Sequence, residues 1–263
     1  MCIRDRNQAV AAAKLGASVI MLGSVGQDMF GDQMIAALAE QGVQCGYLKR
    51  VEAKPTGVAI ITRVKGDNFI TIDSGANFST TFDEVHAALG DVAEGGDVFL
   101  CQLECDFETT MKALKDAHDR GMYTVINPAP AQSLPDWVLP YCDLVVVNEG
   151  ECEVLTGIYP KDENTARSAM ELLVEKGVSS VAVTLGERGS VVLSNDKFCT
   201  SVPPKTNAID TTCAGDTYIG ALVAGYSRGL TLEAALDIAT KASALATTKV
   251  GAQQSIPLLE ELI

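Results

Sequence analysis

The chain has 263 residues, which is enough to bury one large α/β core. Its formal net charge of −14 comes from 20 basic and 34 acidic residues and argues against general binding of nucleic acid or of an anionic membrane. The eight cysteines form no Cys-x-x-Cys pair, and only two histidines accompany them, so a structural zinc site is not expected. Scattered cysteines without a signal sequence fit a reducing cytoplasm, and no apolar run approaches the length of a membrane span.

Helical and short apolar segments alternate along the chain, which predicts an α/β fold with a mainly parallel sheet. The predicted helices cover residues 7–15, 29–41, 107–120, 165–176, 215–228 and 232–248. The predicted strands of the sheet cover 18–22, 98–101, 124–126, 144–147 and 181–184. We predict one hairpin from 58–63 and 69–73 around a turn at 64–68, and a second from 190–193 and 198–202.

An acidic residue and a run of small residues precede the helix predicted at 215–228. Asp210 is followed by hydroxyl residues, and the sequence Ala-Gly-Asp at 214–216 begins the apolar helical pattern. This order brings backbone N–H groups and one carboxylate together at a helix N-terminus, which favours an anion. A carboxylate beside a phosphate site indicates removal of a proton from a hydroxyl that attacks the phosphate.

The loop Thr-Leu-Gly-Glu-Arg-Gly at 184–189 follows a predicted strand and precedes another. Its two glycines suit a close approach to a nucleotide, although a plain hairpin turn explains the same pattern. The loop is neither a Walker-A motif nor a Gly-x-Gly-x-x-Gly fingerprint.

Polar residues follow two other predicted strands. Asn148 and Glu151 come after the strand 144–147, at the edge where open α/β sheets bind ligands. Glu151 can hold water around a magnesium ion, and the same pair also fits a capping box at a helix start. Glu104 follows the strand 98–101 and is either a hydrogen-bond acceptor for sugar hydroxyls or a solvated loop carboxylate.

These motifs occur together in one specific order. The first motif covers residues 7–16 and is followed by Gly26 and Asp28. The later motifs, in chain order, cover residues 56–59, 102–104, 127–131 (Asn-Pro-Ala-Pro-Ala), 148–151, 184–189, 210–218 and 251–255. From residue 7 to its C-terminus the chain thereby resembles the PfkB carbohydrate kinases, and within them the ribokinases. The resemblance implies a ribokinase-like α/β fold of three layers, with a mainly parallel central sheet, helices on both faces, and a small β lid of which the hairpin 56–73 remains.

The resemblance also implies roles by position. Asp216 would be the base that takes the proton from the sugar hydroxyl, and the N–H groups of Cys213, Ala214 and Gly215 would form the anion hole. Asn7 and Glu104, with Asp216, would contact the sugar. The implied ATP site consists of Asn148, Thr184, Leu185, Gly186, Glu187, Arg188, Gly189, Gly215 and Thr240. Glu151 would act on hydrated magnesium.

Ribokinase-like proteins bind a monovalent cation, usually potassium, beside the anion hole. The matching positions, several of them through backbone carbonyls, are Asp210, Thr212, Ala246, Lys249, Gly251 and Ser255. A bound cation would fix this carbonyl-rich loop and so orient the anion-hole amides. The resemblance thus implies ATP as co-substrate, Mg²⁺ and K⁺ as ions, and a homodimer through the lid where the full N-terminus is present.

Three departures from the family pattern have consequences. Cys213 replaces a Gly or Ala, and we expect an intact loop with an oxidation-sensitive thiol. Thr240 replaces a His or Asn near the adenine, which is expected to loosen contacts with the base. The family's first segment, with its first strand, a sugar-binding Asp, two lid strands and a Gly-Gly, is missing. Residues 1–6 are therefore interpreted as a non-native start rather than a frayed terminus of the single domain 1–263.

The leading hypothesis is ATP-dependent phosphorylation of D-ribose to ribose 5-phosphate. The alternatives are a kinase for another small sugar or a nucleoside, and a truncated nucleotide-binding remnant without catalysis. A NAD-dependent Rossmann enzyme is disfavoured, because no Gly-x-Gly-x-x-Gly follows the first predicted strand. For residues 1–263 we expect ATP binding with weak or absent sugar phosphorylation, since much of the sugar site would lie in the missing segment.

Overall fold

Strands and helices alternate along the computed structural model, which describes residues 3–64 and 67–262. The α-helices are α1 (Ile3–Lys14), α2 (Met29–Glu40), α3 (Phe82–Val92), α4 (Phe107–Asp119), α5 (Glu149–Thr156), α6 (Glu163–Glu175), α7 (Ala214–Ser227) and α8 (Leu232–Ala246). The strands are β1 (Ile20–Gly26), β2 (Gln44–Val51), β3 (Val58–Val64), β4 (Asp67–Asp73), β5 (Val98–Gln102), β6 (Tyr123–Asn127), β7 (Leu144–Asn148), β8 (Ser180–Thr184), β9 (Ser190–Ser194) and β10 (Lys197–Ser201).

The largest sheet has six strands in the order β10-β9-β8-β7-β6-β5. Strands β5 to β8 pair in parallel, while β8, β9 and β10 pair antiparallel. The predicted α/β fold with a mainly parallel central sheet is therefore confirmed. Strands β3 and β4 form a separate antiparallel pair, as predicted for the lid hairpin. Residues 65 and 66 of its predicted turn lie outside the described residues.

Helices cover both faces of the six-stranded sheet, and β7 shows why. Its side chains alternate, as the pleat of a strand requires. Val145 and Val147 pack with residues of α4 and α6 such as Met111 and Met170. Leu144 and Val146 pack with α7 and α8 on the opposite face. A strand buried on both faces must be apolar throughout, and all four of these side chains are at most 2% exposed.

The first two strands do not join the large sheet. β1 and β2 form their own parallel pair. A cavity of about 370 Å³ lies between β1 and β5 and is walled by residues of α1, α3 and α4. Its lining is mostly apolar, with Ala9, Leu89 and Ala113 among the wall residues. The sequence alone indicated neither this interruption of the sheet nor the cavity.

Four other features differ from the predicted elements. α1 begins at Ile3 and not at residue 7, so residues 3–6 belong to the same helix. β2, α3 and α5 were not predicted. β2 is mostly exposed and lacks a clear hydrophobic alternation. α3 and α5 are short helices started by capping boxes, at Thr81 with Glu84 and at Asn148 with Glu151.

In the part of the chain that the structure describes, no helix combines the length and the apolar character needed to cross a lipid bilayer.

Candidate active site

Helix α7 begins where the sequence predicted an anion site. Cys213 is its N-cap residue and adopts the left-handed conformation, with φ 69° and ψ 2°. The N–H of Ala214 donates to the Thr211 carbonyl at 3.2 Å. A Cβ added to Gly215 would meet no atom within 4 Å, so the space above this first turn is open. The structure thus has a helix N-terminus at 213–215 with open space beside Gly215, and its use as an anion hole stays a prediction.

The Asp216 carboxylate lies in the first turn of α7 and is only 8% exposed. Asn7 donates from Nδ2 to Oδ2 of Asp216 at 2.9 Å, and Gln8 donates from Nε2 to Oδ1 at 3.1 Å. Burial raises the pKa of Asp216, while the hydrogen bonds from Asn7 and Gln8 and the charge of Arg4 lower that pKa. The structure therefore brings together two residues, Asn7 and Asp216, that lie 209 positions apart in the sequence.

This contact depends on the close packing of α1 against α7. Gly220 of α7 faces α1, and a Cβ there would lie 2.4 Å from the Cβ of Ala11 and 2.7 Å from the carbonyl oxygen of Gln8. Only glycine permits that approach, since real Cβ contacts are not this short. The small side chains of α1 complete the fit, with Ala11 and Ala12 buried.

A row of buried amides connects Asp216 with the far side of the site. Gln8 donates to Oδ1 of Asn127 at 3.2 Å and accepts from Nε2 of Gln102 at 2.6 Å. Asn127 donates from Nδ2 to Oε2 of Glu151 at 3.2 Å. The sequence motifs contained Asn127 and Gln102, but neither these residues nor Gln8 was predicted to belong to the site. A run of polar side chains at the ends of buried strands β5 and β6 was the signal available for two of them.

Glu104 lies beside the same carboxylate. Its side chain pairs with Arg4, with 3.3 Å between Arg4 Nε and Glu104 Oε1. The charges of both residues act on the pKa of Asp216, Glu104 raising it and Arg4 lowering it. The predicted sugar contacts Asn7, Glu104 and Asp216 therefore face one region. Arg4 is an additional charged residue there that sequence reasoning did not identify.

The predicted ATP-side residues lie along the carboxyl ends of β7 and β8. Asn148 and Thr184 are register partners at those ends. Asn148 caps α5 through the Glu151 N–H at 2.8 Å, and the Glu151 side chain returns to the Asn148 N–H at 3.0 Å. Burial raises the pKa of Glu151. The capping-box interpretation is confirmed, and it places the Glu151 carboxylate at this edge of the sheet.

The loop 184–189 connects β8 to β9 as a tight hairpin. The Leu185 N–H donates to the Gly189 carbonyl at 2.8 Å. Gly189 has φ 90°, and a Cβ there would lie 2.0 Å from the Ser201 carbonyl oxygen. Packing against β10 therefore explains this glycine without a nucleotide. Arg188 is held by Glu149 at 2.7 Å and by backbone carbonyls of the segment before α6. Leu185 is buried, whereas Gly186 and Glu187 are exposed.

Thr240 is buried in α8, with 4% of its surface exposed. Its hydroxyl lies 3.0 Å from the Ser190 hydroxyl at the start of β9. The side chain thus bonds the strand that follows the loop 184–189, and contact of Thr240 with an adenine remains a prediction.

The predicted cation loop closes around Asp210. Its carboxylate accepts the N–H of Thr212 at 2.9 Å and the N–H of Gly251 at 3.2 Å. The N–H groups of residues 209 and 210 donate to the Thr247 carbonyl. Ser255 is buried and donates to the Ala252 carbonyl at 2.7 Å.

The remaining two positions are Ala246, the last residue of α8, and Lys249 in the turn that follows. The Lys249 N–H donates to the Ala246 carbonyl at 3.3 Å, and the Lys249 side chain pairs with Glu261 at 2.9 Å. Across residues 3–64 and 67–262 there is no group of three or more His, Cys, Asp or Glu side chains suited to a metal. Binding of a monovalent cation at these positions stays a prediction.

The Cys213 thiol is partly buried and lies near the Asp216 carboxylate. Burial and the neighbouring Asp216 charge raise the pKa of Cys213 to about 12. Because the thiolate is the form that oxidises readily, a thiol that stays protonated at neutral pH is a poor target. This shift argues against the expected oxidation sensitivity, which stays a prediction.

The chain is similar to known proteins over nearly its whole length. Residues 5–259 match the family described as pfkB family carbohydrate kinase. The chain is 36% identical to a ribokinase of Haemophilus influenzae over 267 residues, which covers 99% of this chain and 85% of that protein. It is 35% identical to a deoxyribokinase of Salmonella typhi, with 98% and 85% covered.

Among solved structures, a ribokinase of Thermotoga maritima superimposes with a TM-score of 0.88 at 33% identity, covering 98% of this chain and 85% of that one. The ribokinase of Arabidopsis thaliana in complex with ribose and ATP gives a TM-score of 0.89 at 26% identity, with the same coverage. The recognition from sequence and the ribokinase-like fold are both confirmed. The chain belongs to the pfkB family of carbohydrate kinases.

Proposed function

We propose that this chain transfers a phosphoryl group from ATP to D-ribose and forms ribose 5-phosphate. The observation that carries the proposal is the buried Asp216 carboxylate at the open N-terminus of α7, held by the amides of Asn7 and Gln8. The likeness to ribokinases, at 36% identity over nearly the whole chain in one case, supports ribose as the acceptor.

The chemistry requires one base and one electrostatic cradle. Asp216 takes the proton of the sugar hydroxyl as the oxygen–phosphorus bond forms and the bond to the ADP oxygen breaks. The N–H groups at 213–215 and the dipole of α7 stabilise the charge on the transferring group. A pKa raised by burial makes Asp216 a stronger base than an exposed aspartate. Asn7, bonded to Oδ2, marks the oxygen that faces the sugar.

The residues present fit the two ions of this reaction class. Oε2 of Glu151 accepts two hydrogen bonds, one from Asn127 and one from the Asn148 N–H. Oε1 would therefore accept hydrogen bonds from water around magnesium. Asp210 and the carbonyls near Gly251 would hold potassium. Bound magnesium would neutralise phosphate charge, and bound potassium would fix the loop that precedes the anion hole.

Two broader assignments follow from the same proposal. A cytoplasmic location is supported by the seven described cysteines, all of which are free.

A homodimer through the lid is supported by apolar side chains that the β3–β4 pair exposes to solvent. Val58 is 36%, Ile60 62% and Ile72 54% exposed. Exposed strand edges with such side chains favour pairing with another chain.

A second acceptor is favoured by one observation. A deoxyribokinase is 35% identical over 98% of this chain, nearly the same as the ribokinases. Deoxyribose differs from ribose by one hydroxyl, so discrimination depends on a polar group that bonds that hydroxyl.

The test measures ADP formation with ATP, magnesium and potassium, and compares ribose, deoxyribose, fructose and adenosine. Two forms are assayed: residues 1–263, and the same chain preceded by the first segment of a ribokinase relative. We expect ATP binding by both forms and fast ribose-dependent turnover by the extended form. An extended form that folds and binds ATP but shows no turnover with any of the four acceptors would contradict the proposal.

Removal of one charge should weaken the potassium site selectively. Asp210→Asn keeps the size of the side chain but removes the negative charge of the carboxylate. In the native chain this carboxylate accepts hydrogen bonds from two backbone N–H groups. We expect the potassium concentration for half-maximal activity to rise about tenfold, the effect of one lost charged interaction. Activity of the extended form is titrated with KCl at constant ionic strength. An unchanged potassium dependence would argue against Asp210 as a ligand.

A further inference from the structure

Gln8 makes three hydrogen bonds within the site through its side-chain amide. It is completely buried, and it has an amide with two donor hydrogens and one acceptor oxygen. The donors bond Oδ1 of Asp216 at 3.1 Å and Oδ1 of Asn127 at 3.2 Å, and the oxygen accepts from Gln102 at 2.6 Å. The three partners belong to three different elements, α7, β6 and β5.

A backbone carbonyl decides which way these amides point. Asn127 donates from Nδ2 to the Val146 carbonyl at 3.0 Å, and a carbonyl can only accept. The opposite end of Asn127, its Oδ1, must therefore face Gln8. Gln8 must then present its NH₂ group to Asn127, and the same NH₂ group reaches Asp216. The Val146 carbonyl of β7 thus fixes the orientation of the Asn127 and Gln8 amides, so that Gln8 presents hydrogen-bond donors to the Asp216 carboxylate.

Burial makes a purely structural role for Gln8 costly. Its neighbours along α1, Ala9 and Val10, are buried and apolar, and an apolar side chain at position 8 would avoid the cost of desolvating an amide. The hydrogen bonds of the amide offset this desolvation free energy. The hydrogen bond to the charged carboxylate is the strongest of them.

We propose that Gln8 is a positioning residue that anchors Oδ1 of Asp216 and thereby leaves Oδ2 to face the sugar hydroxyl beside Asn7. The part that concerns the sugar rests on the proposed function, whereas the anchoring does not. Gln102 acts one step further out, because its bond to Oε1 holds the Gln8 amide in place.

The anchoring has a titration signature. A hydrogen bond to the ionised form of a carboxyl favours that form, so its removal raises the pKa of Asp216. The charged and titratable groups that face Asp216 from the surrounding elements are Arg4 of α1, Glu104 after β5 and Cys213 at the start of α7. None of them is changed by a substitution at position 8.

The experiment follows the carboxyl carbon of Asp216 by ¹³C NMR, with its resonance identified by its loss in Asp216→Asn. The quantity measured is the midpoint of the Asp216 titration. In Gln8→Met, which keeps the length of the side chain, we expect this midpoint to rise by about one pH unit. In Gln102→Met the Gln8 amide keeps its donors but loses its anchor, and we expect a smaller rise. Thr110→Val is the matched control, since it removes a buried hydroxyl that bonds the Asp106 carbonyl of the α4 region. Its midpoint should equal that of the unmodified chain.

An unchanged midpoint in folded Gln8→Met would overturn the proposal, as would an equal rise in Thr110→Val. If Gln8→Met does not fold, Gln102→Met decides, and an unchanged midpoint there overturns the anchoring. The titration requires no turnover, so absence of sugar phosphorylation would defeat the proposed function without altering this result. Where turnover is measured, Gln8→Met should lose activity mainly at low pH and recover as pH rises, whereas a general structural defect would lower activity at every pH.

Discussion

Asp216→Asn is expected to lower the rate of ribose-dependent ADP formation by about a hundredfold or more, the usual contribution of a general base. The amide of asparagine cannot take the proton of the attacking hydroxyl. It also presents an NH₂ group to Asn7 or Gln8, both of which donate to the native carboxylate at 2.9 and 3.1 Å. One of these bonds must therefore be lost.

The measurement is steady-state turnover of the extended form, with ATP affinity measured by calorimetry on the same preparations. ATP binding should be nearly unchanged, because the substitution leaves the carboxyl ends of β7 and β8 intact. Full activity in Asp216→Asn would rule out the proposed base. A parallel loss of ATP affinity and thermal stability would point instead to a folding defect.

The pH dependence of the native rate has a definite sign. Burial raises the pKa of Asp216 from its ordinary value, and only the ionised form can act as base. Activity should therefore fall as pH drops through this raised pKa, and the fall should begin at a higher pH than for an exposed aspartate. A rate that stays constant well below the ordinary pKa of aspartate would contradict this role.

Of the substitutions proposed for this chain, Gly220→Ala should lower the free energy of unfolding most. The added Cβ would lie 2.4 Å from Ala11 Cβ and 2.8 Å from the backbone nitrogen of Ala12, and both helices are buried at this point. Overpacking of this kind costs about 1–3 kcal/mol in free energy of unfolding. Because α1 carries Asn7 and Gln8, its displacement should also reduce activity.

Gly215→Ala is the matched control for stability. It lies on the same helix, and its Cβ would meet no atom within 4 Å. Urea denaturation should show a free energy of unfolding that is unchanged or raised by about 0.5–1 kcal/mol, the helical preference of alanine over glycine. Its activity should nevertheless fall, since the methyl group projects over the anion hole. Equal stability of Gly220→Ala and the unmodified chain would show that α1 and α7 tolerate a wider separation.

Local patterns in the sequence determined much of the fold. Buried strands such as β7 are continuous apolar runs, and capped helices such as α4 follow the 3.6-residue period. These signals depend on neighbours a few residues apart. β2 escaped notice because its side chains are mostly exposed, and α5 because it is only eight residues long.

For the site, the sequence by itself predicted which residue acts as the base. The acidic residue after a small-residue turn at a helix start was sufficient to nominate Asp216, because the N-terminal N–H groups and dipole of a helix are local properties. The tertiary structure alone decided what surrounds that carboxylate. Asn7, Gln8 and Asp216 meet only because Gly220 lets two helices touch, and the amide row from Gln8 to Glu151 crosses α1, β6 and α5. Such contacts depend on packing between distant segments, for which no short pattern exists in the chain.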